Sequence, residues 1–202
     1  MSTRIYDPLL SGPLKPLRKA ITTALPNDKC TRILDLCCGT GDQLLELELA
    51  GYLDLHGLDI DPGMIAYAQR NSASIKYHEG DASKTDFPDE SFDVITISLA
   101  LHDKVQNLRE GIFKEILRLL KPGGFALIAD FCFDERTKLM GRFLITAVEG
   151  FAGGEHYRNF KDYRSRGGML NILPHRMFDV KEVARVLKKG IGIWKLTKDN
   201  LQ

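Results

Sequence analysis

The sequence predicts an α/β fold built on a mostly parallel sheet, and three observations carry that prediction. Residues 31–36 (Thr-Arg-Ile-Leu-Asp-Leu) form a short apolar run of the kind that makes a strand buried on both faces. The run breaks into Cys37-Cys38-Gly39-Thr40-Gly41-Asp42, after which leucines recur at helical spacing to residue 50. A second strand-like run over 52–59 then ends in Asp59, 20 positions beyond Gly39. Strand, glycine turn, helix and strand together make a βαβ unit of the nucleotide-binding kind. Gly39 and Gly41 lack a Cβ, which lets the chain turn tightly and approach a ligand closely. The following helix aims its free N–H groups at the same place. An acid at the carboxyl end of the second strand is where a ribose diol is gripped. Asp61 then reads as an N-cap, with Pro62 at the first position of the next helix.

The loop chemistry separates two nucleotide classes. A dinucleotide site wants Gly-x-Gly-x-x-Gly/Ala against a pyrophosphate. Here Leu44 takes the third place and Asp42 stands at the helix start. A carboxylate there repels a pyrophosphate but suits an ammonium and a sulfonium, which favours S-adenosylmethionine over NAD. A two-glycine loop read alone is also compatible with a simple tight turn.

The stretch Ile33-Leu34-Asp35-Leu36-Cys37-Cys38-Gly39-Thr40-Gly41-Asp42 resembles the glycine motif of class I S-adenosylmethionine-dependent methyltransferases. Its Cys-Gly-Thr-Gly-Asp resembles in particular the branch around the ubiquinone/menaquinone-biosynthesis C-methyltransferases. The resemblance covers about residues 30–133 well and both ends only loosely. Many members carry a glycine where this chain has Cys37, so that turn is made with a Cβ present. The resemblance implies a Rossmann-like, seven-stranded, mostly parallel sheet with an antiparallel C-terminal hairpin and helices on both faces. It also implies S-adenosylmethionine as cofactor, S-adenosylhomocysteine as product, and in-line methyl transfer to a C, O or N nucleophile of a small molecule. Carried over residue by residue, the cofactor-binding set is Tyr6, Asp35, Cys37, Gly39, Gly41, Asp59, Ile60, Met64, Asp81, Ala82 and Ser98. Tyr6 would close over the cofactor. Asp81 would accept from the adenine amino group and the Ala82 N–H would meet a ring nitrogen, against the plainer reading of Asp81 as a turn residue. Ile60 and Met64 would sandwich the ring, or else be core.

Length and composition bound the rest. A chain of 202 residues, 44% hydrophobic and 27% charged, reads as one soluble globular domain. Residues 1–28 are read as an N-terminal helical cap and 132–173 as a substrate-side helical segment. A net charge of +1 gives no reason to expect nucleic acid. No apolar run suggests stable membrane insertion and no signal peptide opens the chain, so a cytoplasmic enzyme is expected. The four cysteines (Cys30, Cys37, Cys38, Cys132) follow no zinc spacing, so no metal is expected and reduced thiols are the default. Adjacent Cys37 and Cys38 leave a thiophilic metalloid open beside plain packing. A homodimer is left open.

The remaining elements follow in order. Residues 17–25 read as a short helix stopped by Pro26, with Lys15, Arg18 and Lys19 on a solvated face. Residues 74–82 read as a third strand ending in an acidic turn, and 94–99 as a central fourth strand. At the carboxyl end of that strand, His102 is the titratable side chain expected near the reacting methyl, either as catalytic base or as a cap. Residues 107–120 read as an amphipathic helix striped by Leu108, Ile112, Ile116, Leu119 and Leu120. Lys121-Pro122-Gly123-Gly124 then stops it, before a fifth strand over 125–131. Asp130 near its end either faces the site or caps a loop. Two helices are expected over 136–151 and 157–167, with local Asp134/Glu135-to-Lys138 support. Phe131, Phe133, Phe143, Phe151, Tyr157, Phe160 and Tyr163 offer aromatic surface for a flat or apolar acceptor, and Arg158, Lys161, Arg164 and Arg166 a basic stripe. Residues 179–187 and 190–196 fit a final hairpin, with a helix over 180–187 as the competing reading.

A small-molecule methyltransferase is therefore expected, with quinone-precursor-like phenols, other metabolites or amine head groups as candidate acceptors. Two alternatives stay beside it: a cofactor-binding regulatory or partner protein without catalysis, and an NAD-dependent oxidoreductase, which Asp42 and Leu44 disfavour.

Overall fold

Residues 12–139, 141, 145–146 and 154–198 are described by the computed structural model. Tyr6, Phe143 and Phe151 lie outside them, as does most of the helix expected over 136–151. In chain order the elements are α1 (Lys15–Thr23), β1 (Arg32–Leu36), α2 (Asp42–Leu49), β2 (Asp54–Asp59), α3 (Pro62–Asn71), β3 (Lys76–Glu79) and β4 (Phe92–Ser98). There follow α4 (Gln106–Leu119), β5 (Leu120–Phe131), α5 (Gly154–Ser165), a 3-10 turn (Met169–Asn171), β6 (Phe178–Val186) and β7 (Ile191–Lys198).

The seven strands form one sheet in the order β3-β2-β1-β4-β5-β7-β6. β1 pairs in parallel with both β2 and β4, and β4 with β5. β7 alone runs against its neighbours β5 and β6, which makes the expected C-terminal hairpin. Ile33, Leu34, Leu36, Val94, Ile95, Ile97 and residues 126–129 are fully buried, as a sheet covered on both faces requires. Strand order reverses between β1 and β4, and a crevice at their carboxyl ends is where such sheets bind ligands.

Several boundaries shift from expectation for identifiable reasons. The third strand is only four residues long, because Gly80 and Asp81 already belong to the turn in which Asp81 Oδ1 accepts from the Ser83 N–H and hydroxyl (2.8 Å each). The helix α4 stops one residue before Leu120, which pairs with Phe92 and starts β5. Lys121-Pro122-Gly123-Gly124 is therefore an irregular start to a strand, where register shifts between Phe92 and Val94, rather than a turn before one. Residues 178–186 are strand and not helix, because β7 offers them a ladder. Asp61 caps α3 as expected, its Oδ1 accepting from the Gly63 and Met64 N–H groups at 2.7 and 3.3 Å. Asp134 finds its partner far along the chain: Arg185 on β6 grips it bidentately at 2.7 and 2.8 Å. That guanidinium holds the Asp134 carboxyl down at about 2.

Candidate active site

The crevice is built first by the β1–α2 loop. Cys37, Gly39 and Gly41 all have positive φ (57°, 54° and 80°), so the loop is a left-handed cradle ending at the first turn of α2. A Cβ at Gly39 would meet nothing within 4 Å, so open space lies beside it, whereas one at Gly41 would strike the Tyr77 ring. Cys37 takes its left-handed conformation with a Cβ in place, at a cost of ~1–2 kcal/mol. Leu99, just past β4, does the same at φ 53° and donates its N–H to Ala129 O at 2.8 Å. Of the six non-glycine residues with positive φ among the described residues, these two follow the two strands that flank the switch point.

Asp59 closes the second side. Its Oδ2 accepts the Gly39 N–H at 2.8 Å and its Oδ1 the Asp61 N–H at 3.0 Å. The spacing read from sequence is thus a direct bond between loop and acid, and each carboxylate oxygen keeps a second lone pair for a ligand hydroxyl. Beside it, Ile60 is 68% exposed, an unusual state for isoleucine, and Met64 is half-buried. Asp35 is buried below the loop; burial pushes it up to about 7 although the Thr96 hydroxyl, donating at 2.6 Å, opposes the shift. The buried Ser98 hydroxyl at the end of β4 has no hydrogen-bond partner among the described residues. Burial pushes the Cys37 thiol up to about 12 and raises Cys38 further, which works against thiolate chemistry at either.

Asp42 is not a bare carboxylate at the helix start. Arg18 of α1 reaches it at 3.4 Å with a side chain only 14% exposed, so Arg18 departs from the solvated face expected of it. Asp81 spends Oδ1 on its own turn, and Ala82 beside it is buried.

The opposite wall is organised by Asp130, which is fully buried at the end of β5. Its Oδ2 accepts the N–H groups of Leu101 and His102 at 2.9 and 3.0 Å, and its Oδ1 that of Phe131 at 2.7 Å. His102 Nδ1 lies 2.9 Å from the same Oδ1. With donors converging on an acceptor-only carboxylate, Nδ1 carries a proton, so that in the neutral ring the lone pair lies on Nε2. His102 is 4% exposed and packs 4.7 Å from the Phe131 ring, with Phe160 and Tyr163 at 6.2 Å.

The helix α5 seats on this wall. His156 Nδ1 lies 3.3 Å from Asp103 Oδ2, and Asn159 Nδ2 donates to the Asp103 carbonyl at 2.8 Å. Lys104 pairs with the other Asp103 oxygen. The His156 hydrogen bond and the Lys104 charge hold the Asp103 carboxyl down at about 2 despite its burial. The rings of His102 and His156 stand nearly perpendicular, 5.6 Å apart. Of the expected aromatic surface, Phe131, Phe160 and Tyr163 are buried here, and Phe133 and Tyr157 half-buried. Arg158, Lys161, Arg164 and Arg166 are exposed: Lys161 lies over the Tyr157 ring, Arg164 over the Phe133 ring, and Arg166 pairs with Asp162.

Asp35, Cys37, Gly39, Gly41, Asp59 and Ser98 thus lie on or at the carboxyl ends of β1, β2 and β4, with Gly39 bonded to Asp59 and Asp35 to Thr96, and His102 follows β4 in the chain. Asp103, Arg109, His156 and Asp162 were not singled out from sequence. Among the described residues no group of three His, Cys, Asp or Glu side chains is placed to hold a metal. No helix among them is long and apolar enough to cross a membrane.

Residues 33–124 match the family described as a methyltransferase domain. A demethylmenaquinone methyltransferase of Thermus thermophilus is 34% identical over 154 residues, 73% of this chain and 69% of that protein. One from Chlorobaculum parvum is 36% identical over 99 residues, 49% of this chain and 40% of that protein. Several other such relatives are matched over about half of their own length. The structure of human N-acetylserotonin methyltransferase in complex with SAM superposes with a TM-score of 0.68, covering 94% of this chain and 53% of that one at 19% identity, a likeness of fold. With this sheet order, this glycine cradle and these relatives, the chain belongs to the class I S-adenosylmethionine-dependent methyltransferases, in the menaquinone/ubiquinone branch.

Proposed function

We propose that this protein transfers the methyl group of S-adenosylmethionine to a hydroxylated aromatic small molecule, with the whole chain acting as one methyltransferase unit. The observation that carries this is the bond from Gly39 N–H to Asp59 Oδ2, which joins the glycine loop after β1 to the acid at the end of β2. Three further features fit the cofactor: the open space beside Gly39, the unpartnered Ser98 hydroxyl, and an exposed Ile60 that a flat base would cover. Asp59 would accept from the ribose hydroxyls, Asp81 and Ala82 would meet the adenine edge, and Ile60 and Met64 its faces. Bound there, S-adenosylmethionine supplies an electrophilic methyl on a cationic sulfur.

The chain's own contribution is alignment, which is worth ~7–11 kcal/mol when geometry is good, and removal of one proton. His102 would take the proton of the acceptor hydroxyl at Nε2 as the methyl bond forms, while Asp130 holds Nδ1–H and stabilises the imidazolium. The acceptor loses a proton and gains a methyl group. Phe131, Phe160 and Tyr163 keep water from the base and favour a flat, apolar acceptor. The relatives' printed names make a quinone-type acceptor the natural first choice. Four unpaired cysteines support a reducing, cytoplasmic setting.

The test is release of S-adenosylhomocysteine from S-adenosylmethionine with a panel of naphthols, hydroquinones and phenols. Acceptor-dependent release that falls in His102→Ala, with cofactor affinity retained, is the expected result. Tight cofactor binding without turnover on any acceptor would favour a non-catalytic binding protein, and binding of NAD instead would favour an oxidoreductase.

A further inference from the structure

We propose that Arg109 is a positioning residue for His102 and couples that histidine to the seating of α5; the functional half of this rests on the reading of His102 as the base. Arg109 lies in the first turn of α4 and is 1% exposed, a rare state for an arginine and one that demands partners for its donors. Its Nε donates to the Leu101 carbonyl at 2.8 Å and its Nη2 to the His102 carbonyl at 3.5 Å. The N–H groups of these same two residues donate to Asp130. The Leu101–His102 backbone is thus gripped on its amide side from β5 and on its carbonyl side from α4. A planar fork holds two carbonyls from two separate nitrogens in a fixed geometry, which the single nitrogen of an ammonium does not reproduce.

The third arm of the guanidinium points at the helix on the acceptor side. Arg109 Nη1 is buried and makes no hydrogen bond among the described residues, while Asp162 Oδ2 of α5 stands 3.7 Å from it. The guanidinium also lies over the Tyr163 ring, 5.4 Å from its centroid, and the Tyr163 hydroxyl donates to the Phe131 carbonyl at 2.7 Å, next to Asp130. A small approach of α5 brings Asp162 within hydrogen-bond distance, satisfies Nη1 and fixes the fork that holds His102. Withdrawal of α5 leaves the same fork short of a partner. Arg109 therefore links the helix that lines the acceptor side to the backbone that carries the imidazole.

The test uses the full chain and needs no acceptor. Imidazole nitrogen–carbon correlation spectra resolve the five histidines, and amide exchange is followed at Leu101 and His102. Wild-type protein is expected to show one His102 tautomer, protonated at Nδ1. Arg109→Lys should give a second His102 tautomer or doubled signals, with exchange at the two amides faster by about tenfold or more. Asp162→Asn should shift the same signals in the same direction by less, and neither variant should move His56 or His78. Unchanged His102 signals and unchanged exchange in both variants would overturn the proposal and leave Arg109 a space-filling group. Should Arg109→Lys fail to fold, Asp162→Asn, altered at the partly exposed end of the pair, decides alone. Turnover retained in His102→Gln would overturn the base assignment instead, leaving the Arg109–His102 spectra to be judged separately.

Discussion

Replacing Asp130 with asparagine removes one acceptor oxygen from a carboxylate that serves three backbone N–H groups and one imidazole. The new amide has two ways to sit. With its oxygen toward Leu101 and His102, the Phe131 N–H loses its acceptor and His102 Nδ1 faces an NH2 group. With its oxygen reversed, the Leu101 and His102 amides are both stranded. The first arrangement is cheaper, since the imidazole adapts by moving its proton to Nε2. It still leaves at least one buried donor unpaired, which costs about 1–3 kcal/mol. For a chain of this size that lowers Tm by roughly 2–12 °C. The tautomer change matters more for activity, because Nε2 becomes a donor where the proposed reaction needs an acceptor. Turnover should fall by about 10²–10⁴-fold, the usual contribution of a general base. Calorimetry of the variant gives the first number and S-adenosylhomocysteine release the second. A variant that melts within a degree or so of wild type and turns over within about threefold of it would refute both the buried-acceptor argument and the base assignment.

The other predictions concern the cofactor loop and the sheet edge. Asp59→Asn should weaken S-adenosylmethionine binding by roughly 1.5–3 kcal/mol, about 10- to 150-fold, through loss of charge-assisted bonds; titration calorimetry showing unaltered affinity would sink the ribose assignment. Cys37→Gly relieves ~1–2 kcal/mol of left-handed strain against up to about 1 kcal/mol of added chain entropy, so Tm should hold or rise slightly, and a clear fall would show that the thiol's packing outweighs the strain. His56 is held down at about 4 by burial, against a usual value of 6.5. The unfolded chain therefore binds more protons between those values, and stability is lost as pH falls through that window. Unfolding free energies from urea melts at about pH 7.5 and about pH 5 should differ by roughly 2 kcal/mol, and equal values would contradict the buried, neutral imidazole.

What could be read from the sequence follows how far apart in the chain the interacting groups lie. The cradle, its acid and the cap of α3 are encoded within about thirty consecutive residues, where a 20-residue spacing is also a hydrogen bond. The seven-stranded, mostly parallel sheet with its antiparallel hairpin came with the resemblance, whereas the short β3 and the early start of β5 depended on which partner each backbone found. Asp134 shows the same limit: local helix support was the sequence reading, but Arg185, 51 residues away, offers a planar fork.

The acceptor wall is the extreme case. Asp130 binds residues 28 and 29 positions earlier, and Asn159 reaches back 56 to Asp103, so no window of sequence contains the arrangement. One signal was nevertheless present. Arg109, Ile112, Phe113 and Ile116 follow the i, i+3, i+4, i+7 pattern of one buried helix face, and all four are buried. A stripe drawn through Leu108 instead places Arg109 beside the core, yet Leu108 is only half-buried. A charged residue in phase with a buried stripe must carry its partners into the interior, because an unpaired guanidinium there is too costly to keep. Here those partners are the carbonyls of the residue proposed as base and of its neighbour, so the misfit in the pattern marks the buried network around Asp130 more directly than His102 itself does.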